Sequence, residues 1–445
     1  MTRRYLMNLP CIAAILLALL IGSGKVRAQE KLTLEEAVKL GIENSKALHA
    51  SQMKISAAEA KIGEINAARL PQLSFRGGYT RLSSVPPFTF TIPGTSQSMV
   101  VSPVVFDNYS LVLSLQQPVF TGFRLESGEK ASEYISQATQ VDYTKDKSDV
   151  SLAVKTAYWN LYKAQEFKRV AEENKSTVEA HLSDIVNMEK NGMATANDVL
   201  KVRVQLSNAE LAIVDAQNAA SLATVVLNNY IGRPLGASVI IATGPNAAAG
   251  SLGAPDELLA KAKKQRPELL AADYRIKASQ ENIITAKSGW YPQVSLGGNY
   301  YYNRPNQRIV PTVDAFRDTW DASINVSMSL WNWGATSRQT EQAEAQLAQA
   351  VDAQGQIGDA INVEVTQNYL STTQLKKKIE IADIAVKQAE ENLRLTTQRF
   401  KNGMALNSDV LDAETMLVSV KNSLAQSVAD YEIAVARLGK SLGEL

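Results

Sequence analysis

Apolar side chains recur along this chain with two different periods, and each period predicts a different kind of element. After residues 198 and 409 the steps alternate between three and four, which is the heptad spacing of helices that pack as coiled coils. The first series is Val199, Val202, Leu206, Ala209, Ile213, Ala216, Ala220, Ala223 and Leu227, and the second is Val410, Ala413, Leu417, Val420, Leu424, Ser427, Tyr431, Ala434 and Leu438. The core of an ordinary helix bundle would show the same stripe. Each series follows a longer predicted helix, at about 125–190 and 336–401, which at 1.5 Å per residue would be roughly 100 Å long.

Four other segments alternate with period two, which predicts β-strands at about 72–82, 108–120, 293–303 and 319–331. In the clearest, Trp320, Ala322 and Ile324 alternate with Asp321 and Ser323. A sheet that lies on a soluble core would also alternate, but its apolar face would need a covering layer, and the helices are already committed to coiled-coil packing. About ten alternating residues are enough for a strand to cross a membrane, so we expect lipid on this face.

Backbone groups inside hydrocarbon must all be hydrogen-bonded, so four strands with two open edges cannot stand in a membrane alone. The smallest single-chain barrels have about eight strands, so closure must come from other copies of the chain. Three copies would give a barrel of twelve strands.

The chain also repeats itself, and this repeat predicts its domain organisation. Leu70-Pro71-Gln72 is echoed by Tyr291-Pro292-Gln293 at a spacing of 221, whereas Lys190-Asn191-Gly192-Met193-Ala194 recurs from Lys401 at a spacing of 211. The ten extra residues of the first half are assigned to a polar, Pro-rich loop at 83–103. We therefore predict a first repeat at 29–231 with its helical tip near 191–198, a connection at 232–255, and a second repeat at 256–445 with its tip near 402–409.

The N-terminus has the features of a secretory signal peptide. Arg3 and Arg4 precede an apolar run from Cys11 to Ile21, and Val26-Arg27-Ala28 offers a cleavage site, so residues 1–28 are predicted to be removed. The apolar run is too short for a membrane helix, and no later apolar stretch approaches the required length. Cys11 is the only cysteine, so the mature chain would hold no disulfide.

Composition argues against enzymes and nucleic-acid binding. Cleavage would leave 42 Lys and Arg residues against 45 Asp and Glu, a balance that does not favour nucleic acid as a partner. The two histidines, His49 and His181, lie on separate predicted helices and are expected to be ordinary surface residues rather than metal ligands or members of a triad. There is no Gly-rich phosphate loop, and neither a cofactor nor a metal is expected.

In its duplicated pattern the mature chain resembles the TolC-like outer-membrane efflux family. The resemblance is carried by the Leu-Pro-Gln ending of the first helix, the strand end Gln117-Pro118-Val119-Phe120-Thr121-Gly122, its looser copy Leu330-Trp331-Asn332-Trp333-Gly334, and the twice-occurring Gly-Met-Ala turn followed by Asp-Val-Leu. It implies an α+β protomer that forms a homotrimer, with a twelve-stranded barrel in the outer membrane, a twelve-helix periplasmic tunnel and an equatorial collar built from the connection and C-terminus. It also implies a periplasmic adaptor, or membrane fusion protein, and an inner-membrane pump of RND or ABC type as partners.

The resemblance further implies roles for the residues at the two tips. Gly192, Met193, Gly403 and Met404 would contact the adaptor, although each glycine is in any case expected to end a helix in a left-handed backbone conformation. Asp198, Asp409 and Asp412 would ring a gated periplasmic aperture. A simpler expectation for Asp198 and Asp409 is that they cap the helices that follow.

Two other functional classes fit parts of the sequence. A periplasmic coiled-coil scaffold would use the alternating segments as a soluble sheet, and a passive porin would have many more strands and little helix. The sequence does not distinguish export of drugs, metal ions or proteins.

Overall fold

The computed structural model describes residues 31–83, 86–102, 104–245 and 253–445. The predicted signal peptide and part of the predicted connection at 232–255 lie outside these residues. The described chain forms two compact units, and each is built from three separate stretches. The first unit contains 31–45, 150–245 and 369–438, and the second contains the described parts of 46–149 together with 253–368 and Gly439–Leu445.

Helices account for most of the described residues, as the heptad patterns predict. In chain order they are α1 (Leu34–Asn44), α2 (Lys46–Ala67), α3 (Arg124–Lys190), α4 (Ala196–Ile231), α5 (Pro255–Gln265), α6 (Pro267–Lys287), α7 (Ala335–Lys401) and α8 (Asn407–Leu442). The strands are β1 (Lys31–Leu32), β2 (Gln72–Arg81), β3 (Phe88–Thr91), β4 (Ser98–Ser102), β5 (Asp107–Phe120), β6 (Ile240–Ile241), β7 (Gln293–Arg304) and β8 (Arg317–Ser327). Both α3 and α7 contain 67 residues, and both α4 and α8 contain 36.

The four predicted strands form one antiparallel sheet in the second unit, in the order β2-β5-β7-β8. Phe75 lies opposite Leu113, which lies opposite Tyr300 and then Trp320, so a row of apolar side chains crosses one face. This face is open, since Phe75 is 69% exposed and Trp320 is 74% exposed. The alternation therefore predicted both the strands and their sidedness.

The structure differs from the prediction in one loop and in one strand. The predicted loop at 83–103 contains the hairpin of β3 and β4, whose turn includes Gly94 at a φ of 89°. β8 ends at Ser327, although the alternation continues to Leu330. Ser327 pairs with Gln293, the first residue of β7, and the preceding Pro292 has no N–H with which to extend the ladder.

The first predicted helix, which leads to Leu70-Pro71-Gln72, is interrupted in the structure. α1 ends at Asn44, whose side-chain amide donates to the carbonyls of Leu40 at 2.9 Å and Ile231 at 3.2 Å, and Ser45 is extended. A matching break separates α5 from α6 at Arg266, where Pro267 disfavours a helical backbone in the residue before it. The two breaks are 221 residues apart, the same spacing as the Leu-Pro-Gln landmarks.

Two successive residues with a left-handed backbone conformation precede each long helix. Gly122 and Phe123 have φ values of 62° and 67° before α3, and Trp333 and Gly334 have φ values of 57° and 80° before α7. Gly122 is also tightly surrounded, since a Cβ there would lie 2.7 Å from the carbonyl oxygen of Ser288. The pairs lie 211 residues apart, and in each the partner of the glycine is an aromatic residue.

The first unit has its main core where α1, α3 and α4 meet the β1–β6 pair. Tyr158 is fully buried there, and its hydroxyl donates to the Leu32 carbonyl at 3.0 Å and accepts from the Thr243 amide at 3.0 Å. Gly41 allows close approach of α1 to α3, because a Cβ at this position would lie 2.5 Å from Cγ2 of Val154. These contacts pack α1 and the β1–β6 pair against the middle of α3 and the C-terminal end of α4.

Among the described helices, α4 alone is long and apolar enough to cross a membrane by length and composition. The expectation that no later stretch would approach this length was therefore wrong. A single such helix is weak support for a membrane span, and the apolar residues of α4 include the heptad series that packs against α3.

Candidate functional site at the two interhelical turns

Both helical hairpins of the first unit turn through a Schellman motif, which is a helix ending closed by two backbone hydrogen bonds. In the first turn the Gly192 amide donates to the Glu189 carbonyl at 2.9 Å, and the Met193 amide donates to the Met188 carbonyl at 2.8 Å. The motif requires a left-handed residue after the helix, and Gly192 supplies it at a φ of 69°. The expected left-handed helix ending is confirmed here.

The second turn repeats this geometry. The Gly403 amide donates to the Phe400 carbonyl at 2.9 Å, and the Met404 amide donates to the Arg399 carbonyl at 2.9 Å, with Gly403 at a φ of 72°. A Cβ on either turn glycine would meet no atom within 4 Å. Glycine is therefore favoured at both turns by its backbone conformation and not by lack of space.

Apolar side chains project from both turns. Met193 is 66% exposed, Met404 is 62% exposed and Leu406 is 69% exposed. Methionine is flexible and polarizable, which suits a surface that must adapt to a partner. The turns thus present small apolar contact surfaces without a covering layer in the single chain.

Asp198 stabilises the start of α4, but it is not the N-cap residue. The simpler expectation for Asp198 is therefore corrected. The N-cap residue is Thr195, and its hydroxyl accepts a hydrogen bond from the Asp198 amide at 3.2 Å. In return, the Asp198 carboxylate accepts from the Thr195 amide at 3.2 Å and from the Thr195 hydroxyl at 2.6 Å. This reciprocal pair is a capping box, with the carboxylate on the third helical residue. The Thr195 hydroxyl lowers the pKa of Asp198 below its ordinary value.

Asp409 occupies the equivalent place at the start of α8, and its expected N-cap role is corrected in the same way. Its carboxylate accepts from the Leu406 amide at 2.9 Å, three residues earlier. Asp412 lies almost one turn further on and is exposed. Within the described residues neither Asp409 nor Asp412 has an ion-pair partner, so both carboxylates present uncompensated negative charge beside the second turn.

Side-chain contacts hold the two turns together within the first unit. The buried Asn407 donates to the Asp198 carbonyl at 3.4 Å, and Lys401 forms an ion pair with Asp184 at 2.8 Å. Beneath them lies an apolar cluster that includes Ile185, Val199 and Val410. The structure thus brings Asp198 and the start of α8 into one neighbourhood.

A buried polar pair lies behind these turns. His181 on α3 and Glu414 on α8 have side chains that are only 6% and 2% exposed, and His181 Nδ1 lies 3.1 Å from Glu414 Oε1. His181 packs edge-on against Phe400, and both His181 Nε2 and Glu414 Oε2 lack a hydrogen-bond partner in the described part of the chain. The expectation of two surface histidines is correct for the exposed His49 and wrong for His181.

The sequence contained a signal for one of these features. Thr195 and Asp198 have the spacing of a capping box, so the helix start at Ala196 could have been predicted from the residues alone. No comparable signal marks His181 and Glu414, because they are 233 positions apart and meet only through the packing of α3 on α8. Among the described residues, no three His, Cys, Asp or Glu side chains are grouped so that they could hold a metal ion.

Comparisons with known proteins agree with one another over most of the chain. The model of the family described as "Outer membrane efflux protein" matches residues 38–233 and 258–444. The outer membrane protein TolC of Vibrio cholerae is 24% identical over 406 residues, which are 91% of this chain and 89% of that protein. The alkaline protease secretion protein AprF of Pseudomonas aeruginosa is 23% identical over 416 residues, 92% of this chain and 83% of that one.

Solved structures show the same fold. The outer membrane protein VceC of Vibrio cholerae superposes with a TM-score of 0.75 at 18% identity, covering 92% of this chain and 96% of VceC. The MtrE outer membrane channel of Neisseria gonorrhoeae superposes with a TM-score of 0.74 at 17% identity, covering 92% and 88%. The sheet, the paired turns and the family match lead to one conclusion: the chain belongs to the outer membrane efflux protein family and has the fold of its outer-membrane channels.

Proposed function

We propose that this protein is the outer-membrane exit duct of a tripartite efflux or type I secretion system, with its helical part in the periplasm. The observation that carries the proposal is the four-stranded sheet, whose apolar face is exposed and whose polar face carries Ser, Asn and Gln residues. In a channel the first face meets lipid and the second lines a water-filled lumen. Energy from ATP or a proton gradient would be supplied by an inner-membrane pump, and this chain is assigned no catalytic role.

The homotrimer is supported by two surfaces that a single chain leaves open. In the described sheet β2 and β8 each pair on one side only, so their outer edges carry unpaired backbone groups. In addition, α4 exposes a second set of apolar side chains, comprising Leu200, Val204, Leu211, Val214 and Leu222. Neighbouring copies would pair the edges and cover these side chains, and three copies give the twelve strands expected from the sequence.

The division into two structural repeats, 29–231 and 256–445 joined by 232–255, remains part of the proposal. It is supported by two family matches on either side of the connection, by helix breaks 221 residues apart and by left-handed pairs 211 residues apart. The connection is assigned to an equatorial collar. The exposed Met193 and Met404, with the glycines that precede them, are assigned to adaptor contact.

Asp198, Asp409 and Asp412 are proposed to ring the periplasmic aperture. Each would occur three times around the axis of a trimer, and like charges held close together repel one another unless cations neutralise them. Asp409 and Asp412 suit this role best, because they are exposed and lack ion-pair partners among the described residues. Asp198 is partly committed to its capping box.

The first test is the native mass of the mature protein after detergent extraction from outer membranes. A mass of three protomers supports the proposal, whereas a detergent-free soluble monomer contradicts it and favours a periplasmic scaffold. The second test compares single-channel records of Asp409→Ala/Asp412→Ala with those of the charge-preserving Asp409→Glu/Asp412→Glu. We expect only the alanine variant to change conductance and to lose sensitivity to divalent cations, and identical records for both variants would refute the aperture assignment.

A further inference from the structure

The polar face of the sheet has an unbalanced charge that the proposed function does not require. The register places Arg76 of β2 in one row with Val112, Tyr301 and Thr319, and Arg317 of β8 opposite Asn303 on the same face. Asp321, opposite Asn299, is the only acidic residue of β2, β5, β7 and β8 on this face. The strands alone thus carry two positive charges and one negative charge there.

A loop residue then neutralises the single acid. Arg308, in the loop between β7 and β8, forms an ion pair with Asp321, and its guanidinium lies 4.3 Å from the centre of the Tyr301 ring. Asp321 also accepts from the Asn299 amide at 2.8 Å. Because Tyr301, Asn299 and Asp321 all belong to the polar face, the loop returns across that face and brings a third arginine to it.

The position of Arg308 is fixed by a buried residue. Asn306 is 2% exposed, and its side-chain amide donates to the Arg317 carbonyl and the Thr319 hydroxyl at 3.1 Å each. Its side-chain oxygen accepts from the Arg308 backbone amide at 3.0 Å. Asn306 therefore ties the loop to the start of β8 and directs Arg308 along the sheet.

Arg76 and Arg317 are left without ion-pair partners among the described residues, and both are exposed. By contrast, the arginines on the apolar face are paired: Arg81 lies 2.8 Å from Asp107, and Arg304 lies 2.7 Å from Asp314. The arginines on the face assigned to lipid are thus neutralised, and Asp318 adds a further acid to that face, whereas the face assigned to the lumen carries a net positive charge.

We propose that the barrel lumen is a basic, anion-favouring segment, and that Arg76 and Arg317 make it so. The inference rests on the proposed trimeric channel, in which the two arginines contribute six charges around one aqueous bore. Such charges raise the local concentration of anions and lower that of cations. Exported molecules that carry carboxylate or phosphate groups would be favoured in this segment, opposite in sign to the acidic residues at the helical turns.

The test is the reversal potential of the purified trimer in planar bilayers under a KCl gradient. The dilute side is kept near 0.01 M, where screening extends over ~30 Å. For Arg76→Gln/Arg317→Gln we expect the ratio of potassium to chloride permeability to rise at least about fivefold, because the proposed trimer would lose six weakly screened positive charges from its bore. The matched control, Arg81→Gln/Arg304→Gln, removes two arginines from the same sheet but from the other face, and should change the ratio less than about twofold.

Two further variants keep the proposal open to refutation. Arg76→Lys/Arg317→Lys should retain the native ratio, and Asp321→Asn, which frees the charge of Arg308, should shift selectivity further toward chloride. An unchanged ratio in Arg76→Gln/Arg317→Gln, or an equal shift in the control, would overturn the basic lumen while leaving the channel intact. If the native protein forms no trimer and no conductance, the proposed function itself fails.

Discussion

Replacing Glu414 with Leu should loosen the helices behind the turns, because it removes the one polar contact that His181 makes among the described residues and leaves its ring buried. The two side chains are 6% and 2% exposed and lie 3.1 Å apart, and Nε2 of the imidazole has no hydrogen-bond partner in the described part of the native chain. A buried polar group deprived of its partner costs about 1–3 kcal/mol. Because both side chains are almost fully buried, we expect a loss near the upper end of this range, about 3 kcal/mol in the free energy of local opening.

Hydrogen exchange followed by mass spectrometry measures this loss directly, without requiring the whole protein to unfold reversibly. Peptides that cover 178–186 and 410–418 should exchange roughly a hundredfold to two-hundredfold faster in Glu414→Leu, since 1.36 kcal/mol corresponds to a factor of about ten. A control is Glu391→Leu on α7, which breaks an exposed ion pair with Arg394 and should change exchange little.

The double variant His181→Phe/Glu414→Leu separates a polar cost from a packing cost. Removing both partners together and filling the space with apolar groups should restore exchange to within about tenfold of the native protein. If the double variant exchanges as fast as Glu414→Leu alone, the pair acts through shape and not through its buried polarity. Native exchange in Glu414→Leu itself would refute the reasoning outright.

Four smaller changes follow from backbone and packing geometry, and thermal unfolding of the detergent-solubilised protein can rank all four. Gly192→Ala should destabilise the first hairpin by about 1 kcal/mol, because residues with a Cβ disfavour the left-handed backbone conformation. Gly128→Ala should instead stabilise α3 by about 0.5–1 kcal/mol, because this glycine lies inside the helix and a Cβ there would meet no atom within 4 Å. Thr195→Ala should cost about 1 kcal/mol at neutral pH. The Thr195 hydroxyl lowers the pKa of Asp198 in the folded protein. The stability that Thr195 contributes through Asp198 is therefore fully present above the ordinary carboxyl pKa of about 4, and it is lost as the pH falls through the lowered pKa of the folded state. The melting temperatures of the native and Thr195→Ala proteins should converge in acid. Gly41→Ala should cost about 1–3 kcal/mol, since the added methyl overlaps a fully buried valine, and an unchanged melting temperature would show that the helices separate freely there.

Much of the fold could be predicted because its elements are long and strongly periodic. The heptad series in α4 and α8 and the alternation around Trp320 each extend over nine or more residues, so local exceptions did not hide the period. The break at Ser45 was missed because neither Pro nor Gly marks it. It depends on the Asn44 side chain reaching the end of α4, which is a contact between residues 187 positions apart.

The candidate site was predictable only in part, for a related reason. The turn glycines and the capping Asp198 act through residues no more than four positions away, so their structural roles are present in the local sequence. His181 and Glu414 depend on which sides of α3 and α8 face each other, and Arg308 reaches Asp321 only because Asn306 directs the loop. Such long-range pairings follow from tertiary packing and leave no local pattern.

The open edges of β2 and β8 have a consequence for how this protein is made. A lone protomer in the membrane would expose two rows of unpaired backbone groups to lipid, so insertion and ring closure must occur as one concerted event. Biogenesis would then depend steeply on the supply of newly exported chains. In the proposed trimer, one subunit with a defective edge would block closure for the other two. Mutations in either edge strand should therefore be dominant in cells that also produce the normal protein.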